Sequence, residues 1–138
     1  MIQVSLSRIY SFSAAHRLYA PALSEEENQR LYGKCHNAYG HGHDYYLEVT
    51  VRDKPHPQTG MILPLGLLDA WVSDVLKKLD HKHLNNEIDY FKEHPSTGEV
   101  IIQFLWEELQ QRIPDGKLSY LKLWETKNNY FELGKEKD

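Results

Sequence analysis

Residues 34–53 read KCHNAYGHGHDYYLEVTVRD, and the second half of that stretch decides the fold. From residue 43 onward, Tyr45, Leu47, Val49 and Val51 fall at every second position, so residues 43–53 read as a strand with one inward face. His41 and His43 stand at its start. Side chains two apart on a strand point the same way, with Cα atoms roughly 6.5 Å apart. Two imidazoles so placed can converge on one ion, and Gly42 leaves room between them. Cys35, the only cysteine of the chain, lies six positions before His41.

Upstream, IQVSLSRIYSFSAAH (2–16) also alternates. Ile2, Val4, Leu6, Tyr10 and Phe12 share one face; Gln3, Ser5, Ser7 and Ser11 share the other. The long connection between the two strands allows antiparallel pairing, which brings His16 to the start of the second strand. A lone H-x-H pair is weak evidence for a metal, and His16 alone reads equally as a polar strand end. Three imidazoles near a cysteine favour the metal, and three histidines with an open fourth position are a catalytic zinc site in type.

The connection holds LSEEENQRLYGK, where Ser24 and Glu27 form a capping box, acidic residues fill the first turn and Gly33 stops a short helix. KPHPQTG (54–60) reads as a turn and MIL (61–63) as a short extended piece. Leu68, Val72, Val75 and Leu79 give residues 66–79 helical spacing. DHKHLNNEIDYFKEHP (80–95) is irregular. Ser96 opens a second long helix with Glu99 as its capping-box partner, and Ile102, Leu105, Leu109 and Ile113 form its stripe. KLSYLKLWET and NYFEL are closing strands joined at Lys127 and Asn128. The order is β-β-α-α-β-β, an α+β fold in one domain over residues 1–138, with only GKEKD at the end expected to fray.

Composition narrows the function. With 138 residues, 41% hydrophobic and 26% charged, the chain reads as an ordinary globular domain. Its net charge of −4 and lack of a basic stripe argue against nucleic-acid binding, though not against a small anionic substrate. No apolar run reaches bilayer length, and the N-terminus lacks a signal-peptide pattern. One cysteine makes no internal disulfide, so cytoplasmic residence is the default.

Cys35 fits three roles: a fourth metal ligand, a thiolate base or nucleophile, or a small buried hydrophobe. Its polar neighbours Lys34, His36 and Asn37 count against the last, and spacing does not separate the first two. Asp80 and His81, with His83 close behind, suit a proton shuttle or a solvated helix end. Glu125 shares a face with Leu121 and Leu123. An inward carboxylate needs a cation or donors, and a ligand with paired N–H groups would satisfy it; the alternative is an edge glutamate turned to solvent. For Glu99 the capping signature is a sufficient explanation.

The stretches FSAAHRLY, LSEEENQRLYGKC, GHGHDY, TGMI, LDHKHLN, STGEV and WETKNNY, in this order over residues 10–130, resemble the 6-pyruvoyl-tetrahydropterin synthase family, 6-carboxy-tetrahydropterin synthases included. The combination of F-S-A-x-H, C-x5-H-G-H and D-H-K-x-L-N is highly specific. The resemblance implies the tunnelling fold (T-fold), a four-stranded antiparallel sheet with two helices on one face. It further implies a homohexamer, two stacked trimers whose sheets close into barrels, with active sites at subunit interfaces. It makes His16, His41 and His43 zinc ligands and Cys35 catalytic rather than a ligand. Asp80 and His81 complete the catalytic triad across an interface, Glu125 anchors the pterin, and Thr97 and Glu99 are further pterin-pocket positions.

The implied reaction is that of a carbon–oxygen lyase of tetrahydrobiopterin biosynthesis, converting 7,8-dihydroneopterin triphosphate to 6-pyruvoyl-tetrahydropterin with loss of triphosphate. Mg²⁺ would accompany the triphosphate, and Arg17, Lys34 and Lys127 are the candidate cations for receiving it. Two rivals stand beside this. One is 6-carboxy-tetrahydropterin synthase of the queuosine pathway, where a shorter C-x3-H-G-H interval is common. The other is a non-catalytic zinc- or pterin-binding protein with Cys35 as fourth ligand. Two departures stand out: S-T-G-E where S-T-T-E is frequent, and CHNAYG in place of a loop with asparagine and proline.

Overall fold

The computed structural model describes residues 2–134, so the fraying expected for residues 135–138 lies outside the described residues. Strand β1 (Val4–His16) and strand β2 (His41–Asp53) pair antiparallel along their whole length, from Val4 opposite Asp53 to His16 opposite His41. The connection between them carries α1 (Glu25–Tyr32) and a 3₁₀ turn (Gly33–His36). The Ser24 capping box forms as expected: its hydroxyl accepts from Glu27 N–H, and the Glu27 carboxylate accepts from Ser24 N–H.

Helix α2 (Leu65–Leu76) is followed by β3 (Lys82–His83) and two single-turn helices, α3 (Leu84–Glu87) and α4 (Tyr90–Glu93). Helix α5 (Gly98–Arg112) and the hairpin of β4 (Leu118–Thr126) and β5 (Asn129–Gly134) complete the fold. The four long strands are antiparallel neighbours in the order β1-β2-β4-β5. β3 adds two parallel pairs at the edge of β1, so the sheet is mixed and five-stranded. Two residues are too few for alternation to register.

One sheet face carries the core. Leu47, Val49, Leu121 and Leu123 pack in one cluster with Leu68, Val72 and Val75 of α2 and with Ile101, Leu105 and Leu109 of α5. At roughly 2 kcal/mol for each fully buried aliphatic side chain, this layer is the main stabilising term. Ile2 and Val4, expected inward, stand exposed at the corner of the sheet. Residues 61–63 form no strand. Gly134, read as part of the frayed end, closes β5.

The start of α5 corrects another expectation. Its N-cap is Thr97, whose hydroxyl accepts from Val100 N–H, so Ser96 and Glu99 form no capping box. Ser96 is fully buried, and its hydroxyl donates to the Asn85 side chain. That tertiary bond removes Ser96 from the competition for the cap. None of the described helices is long and apolar enough to cross a membrane.

Candidate active site

The register of β1 against β2 builds the site. His16 faces His41 across the ladder and Ala14 faces His43. Directly paired residues project to the same side of a sheet, and so do residues two apart. All three imidazoles therefore share the core face, at the end of the sheet. Below them the Phe12 and Tyr45 rings stack at 4.8 Å.

His16 is fully buried, and its Nδ1 donates to the Ser96 carbonyl at 2.6 Å. This bond fixes the tautomer and leaves the Nε2 lone pair pointing outward, the arrangement typical of a metal-ligating histidine. His16 Nε2 and His43 Nε2 lie 3.1 Å apart, and Cys35 Sγ lies 3.8 Å from His43 Nε2. These three ligand atoms fall within 4.8 Å of one another. Tetrahedral zinc holds two imidazole nitrogens roughly 3.3 Å apart, so the donor set fits that ion. His41 lies beside this group, its ring centroid 4.7 Å from that of His43.

Burial dominates the electrostatics. It lowers the pKa of both His16 and His43, favouring the neutral form that ligates metal. Burial also pushes the Cys35 thiol up, and the Glu125 charge adds to that effect. Glu125 interacts electrostatically with His16, His43, Cys35 and Tyr45 at once. It is the extra residue of a β-bulge, between the Trp124–Tyr130 and Thr126–Asn129 pairs. Bulges re-aim side chains beside functional sites. Here the Asn129 amide donates to the Glu125 carboxylate at 3.3 Å.

Asp80 and His81 form a separate pair at the edge of β1. Ser13 N–H donates to Asp80 at 2.8 Å, and His81 N–H donates to the Ser13 carbonyl at 2.6 Å. The Ser13 amide, followed by His81, holds the Asp80 carboxyl below its ordinary range. His81 Nδ1 lies 3.1 Å from Asp80 Oδ2, and the imidazole is 83% exposed. Its φ of +60° is uncommon for a residue with a side chain. No hydrogen bond or ring contact joins this pair to Cys35 among the described residues. Thr97 and Glu99 sit at the first turn of α5, Thr97 as its cap and Glu99 exposed.

Sequence reasoning missed two contributors. The Ser96 carbonyl, which orients His16, leaves no signal in residue type. Tyr45 could have been found, since alternation places it inward next to His43. Its hydroxyl is buried without a hydrogen-bond partner among the described residues. Burial, Glu125 and Cys35 all push its pKa up.

A model of the family described as 6-pyruvoyl tetrahydropterin synthase matches residues 5–136. The chain belongs to the 6-pyruvoyl tetrahydropterin synthase family. It is 44% identical to the 6-pyruvoyl tetrahydrobiopterin synthase of Homo sapiens, over 92% of this chain and 88% of that one. The structure of Caenorhabditis elegans 6-pyruvoyl tetrahydropterin synthase superposes with a TM-score of 0.92 at 36% identity, covering 99% of this chain and 98% of that one. Similarity to a 6-carboxy-5,6,7,8-tetrahydropterin synthase of Rickettsia bellii is lower, at 27% identity over 94% of this chain and 99% of that one.

This member of the 6-pyruvoyl tetrahydropterin synthase family explains its own S-T-G-E. A Cβ at Gly98 would overlap the Phe131 ring of β5, so the aromatic side chain takes the space that a larger residue at 98 needs. Gly40, with φ +89°, makes the turn into β2. A Cβ there would stand 2.6 Å from His83 Nε2.

Proposed function

We propose that the chain is a zinc-dependent carbon–oxygen lyase that converts 7,8-dihydroneopterin triphosphate to 6-pyruvoyl-tetrahydropterin with elimination of triphosphate. One observation carries the reading. His16, His43 and Cys35 converge within 4.8 Å at one end of a sheet, under the charge of Glu125. The 44% identity to a relative that bears this activity in its name supports it.

His16, His41 and His43 would hold the zinc, His41 from its register position opposite His16. Zinc bound there supplies Lewis acidity, drawing electron density from the side-chain oxygens of the substrate and acidifying the adjoining C–H. Cys35 as thiolate takes that proton, so an S–H bond forms as the C–H bond breaks. Burial and Glu125 both push the thiol's pKa up. A positive charge at the imidazole cluster offsets them. His81, oriented by Asp80, exchanges protons with the side-chain oxygens while the C–O bond to triphosphate breaks. The remaining hydrogen shifts are internal: the ring is reduced as the side chain is oxidised, and no external oxidant enters.

Glu125 accepts from the N–H edge of the pterin, holding the ring with its side chain toward the imidazole cluster. The Thr97 hydroxyl accepts from Val100 and still has its proton to donate, so Thr97 and Glu99 remain pterin-pocket positions in this reading. Arg17 lines a cavity of about 550 Å³ together with Lys92 and His94, which suits it to the triphosphate and its Mg²⁺. The exposure of His81 agrees with a partner subunit bringing the pair to Cys35. The reading therefore includes a homohexamer built from two trimers, with one domain per chain. A reducing, cytoplasmic setting suits the single cysteine.

Incubating zinc-loaded protein with the triphosphate and identifying the product by mass spectrometry tests this. A carboxylated pterin with release of acetaldehyde would favour the queuosine-type activity instead. The 3.8 Å from Cys35 Sγ to His43 Nε2 favours a second reading, Cys35 as fourth ligand. Cys35→Ala separates the two. We expect stoichiometric zinc and lost turnover, whereas lost zinc would make the thiol a ligand.

A further inference from the structure

Cys35 stands on one short 3₁₀ turn, closed by the Asn37 N–H donating to the Lys34 carbonyl. The Gly33–His36 turn has no side-chain cap, and 3₁₀ hydrogen bonds are poorly aligned. Two further anchors come from the segment just after His16. The Cys35 carbonyl accepts from Leu18 N–H at 2.6 Å, and the His36 carbonyl accepts from Arg17 Nε at 3.1 Å.

The His36 side chain adds a third tie. It is 5% exposed, with Nδ1 3.1 Å from the Leu18 carbonyl and Nε2 2.9 Å from the Glu25 carboxylate. Both partners are oxygens, one at each ring nitrogen, so the ring spans the gap between them. One end fixes it to the chain leaving β1, the other to the first turn of α1. The ring also stacks on Tyr19 at 5.9 Å with 13° between planes, and the Arg17 guanidinium lies 4.9 Å from the Tyr19 centroid.

We propose that His36, strutted between Leu18 and Glu25, is a positioning residue that aims the Cys35 thiol at the imidazole cluster. The inference rests on the proton-abstracting role given to Cys35 above. Cys35 and His36 are adjacent, and the strut ties them to the strand end that carries His16. Removing the ring takes away the bridge between the Leu18 carbonyl and the Glu25 carboxylate and frees the turn to shift. A misplacement of about 1 Å costs on the order of 10²-fold in rate.

The test compares zinc-loaded wild type with His36→Ala and Glu25→Ala, the second gentler because the Glu25 side chain is 76% exposed. We expect kcat to fall about 10- to 100-fold in His36→Ala and about threefold in Glu25→Ala, with KM within about twofold and zinc stoichiometric. Cys35 is the only cysteine, so iodoacetamide alkylation reports its setting without substrate. Its rate should rise at least about threefold in His36→Ala as the turn opens locally. His36→Gln, which keeps one donor, should recover part of both losses. Unchanged kcat and alkylation in folded His36→Ala overturns the proposal, as does loss of zinc. Should His36→Ala fail to fold, unchanged values in Glu25→Ala overturn it equally. A wild type that leaves the triphosphate unconverted defeats the functional reading, while the alkylation arm still decides whether His36 positions the thiol.

Discussion

The middle and the end of one sheet face follow the same alternation, yet do different work. Leu47 and Leu123 in the middle have no exposed surface, and neither does His16 at the end. In the middle, helices α2 and α5 supply hydrocarbon, and burial needs no directed partner. At the end, the partners are the Ser96 carbonyl, the turn bearing Cys35 and the bulge bearing Glu125. A buried imidazole is costly unless it is bonded, so that end is specified atom by atom. Tyr45 marks the border: its ring stacks on Phe12, while its hydroxyl, near Cys35 and Glu125, lacks a hydrogen-bond partner among the described residues.

Substitutions at the two places should fail differently. His16→Ala should abolish stoichiometric zinc and lower turnover by about 10³-fold, the equivalent of several kcal/mol of Lewis-acid stabilisation. Metal analysis beside circular dichroism checks that the fold survives. Leu47→Ala should cost about 2–5 kcal/mol in denaturant unfolding, while the protein that remains folded keeps its zinc. If His16→Ala unfolds the chain as badly as Leu47→Ala does, the end is merely more core.

Gly98 tests the border on the helix side. Alanine is ordinarily the better helix former, but its Cβ would overlap Phe131. Gly98→Ala should therefore lose about 1–3 kcal/mol through overpacking. Gly98→Ala with Phe131→Val should recover part of the loss, a coupling that a double-mutant cycle measures. Additive effects would mean that Phe131 does not set the residue at 98.

Glu125→Gln should weaken pterin binding about tenfold by replacing a charge-assisted bond with a neutral one, with zinc retained. Glu125 raises the Cys35 pKa, so the same substitution should move the midpoint of Cys35 alkylation to lower pH. Unchanged pterin affinity would remove its anchoring role.

What the sequence made legible follows from how each feature is encoded. The long strands and helices show as alternation and helical spacing because one face of each meets the core. The Ser24 capping box shows because all of its bonds lie within four residues. At S-T-G-E the same pattern misleads: two hydroxyls adjoin, and a distant residue, Asn85, decides which one caps. β3 escapes because two residues have no period, and the bulge at Glu125 because register is a property of two strands. The inward face of Glu125 was nonetheless readable from Leu121 and Leu123. For the site, H-x-H gave the face and antiparallel pairing brought His16 to the start of the second strand; only its exact partner, His41, needed the ladder itself. The setting of Cys35 depends on Leu18, Arg17 and Glu25, and no local pattern announces them.

The smallest expected effect is in pH. Burial lowers the folded pKa of His16 and His43, while unfolded imidazoles take up protons near pH 6.5. As pH falls below that value the unfolded state binds protons that the folded state refuses, so stability drops. In chelator-treated protein Tm should fall by a few degrees between about pH 7 and pH 5, and His16→Asn with His43→Asn should flatten the slope. Zinc, which binds only the neutral imidazoles, competes with those protons and should shift the loss to lower pH. A middle-of-sheet variant such as Leu47→Ala should lower the whole curve without changing its slope. If it changes the slope as much as the histidine pair does, the titrating groups lie elsewhere, and the chemical contrast between the two halves of the face fails.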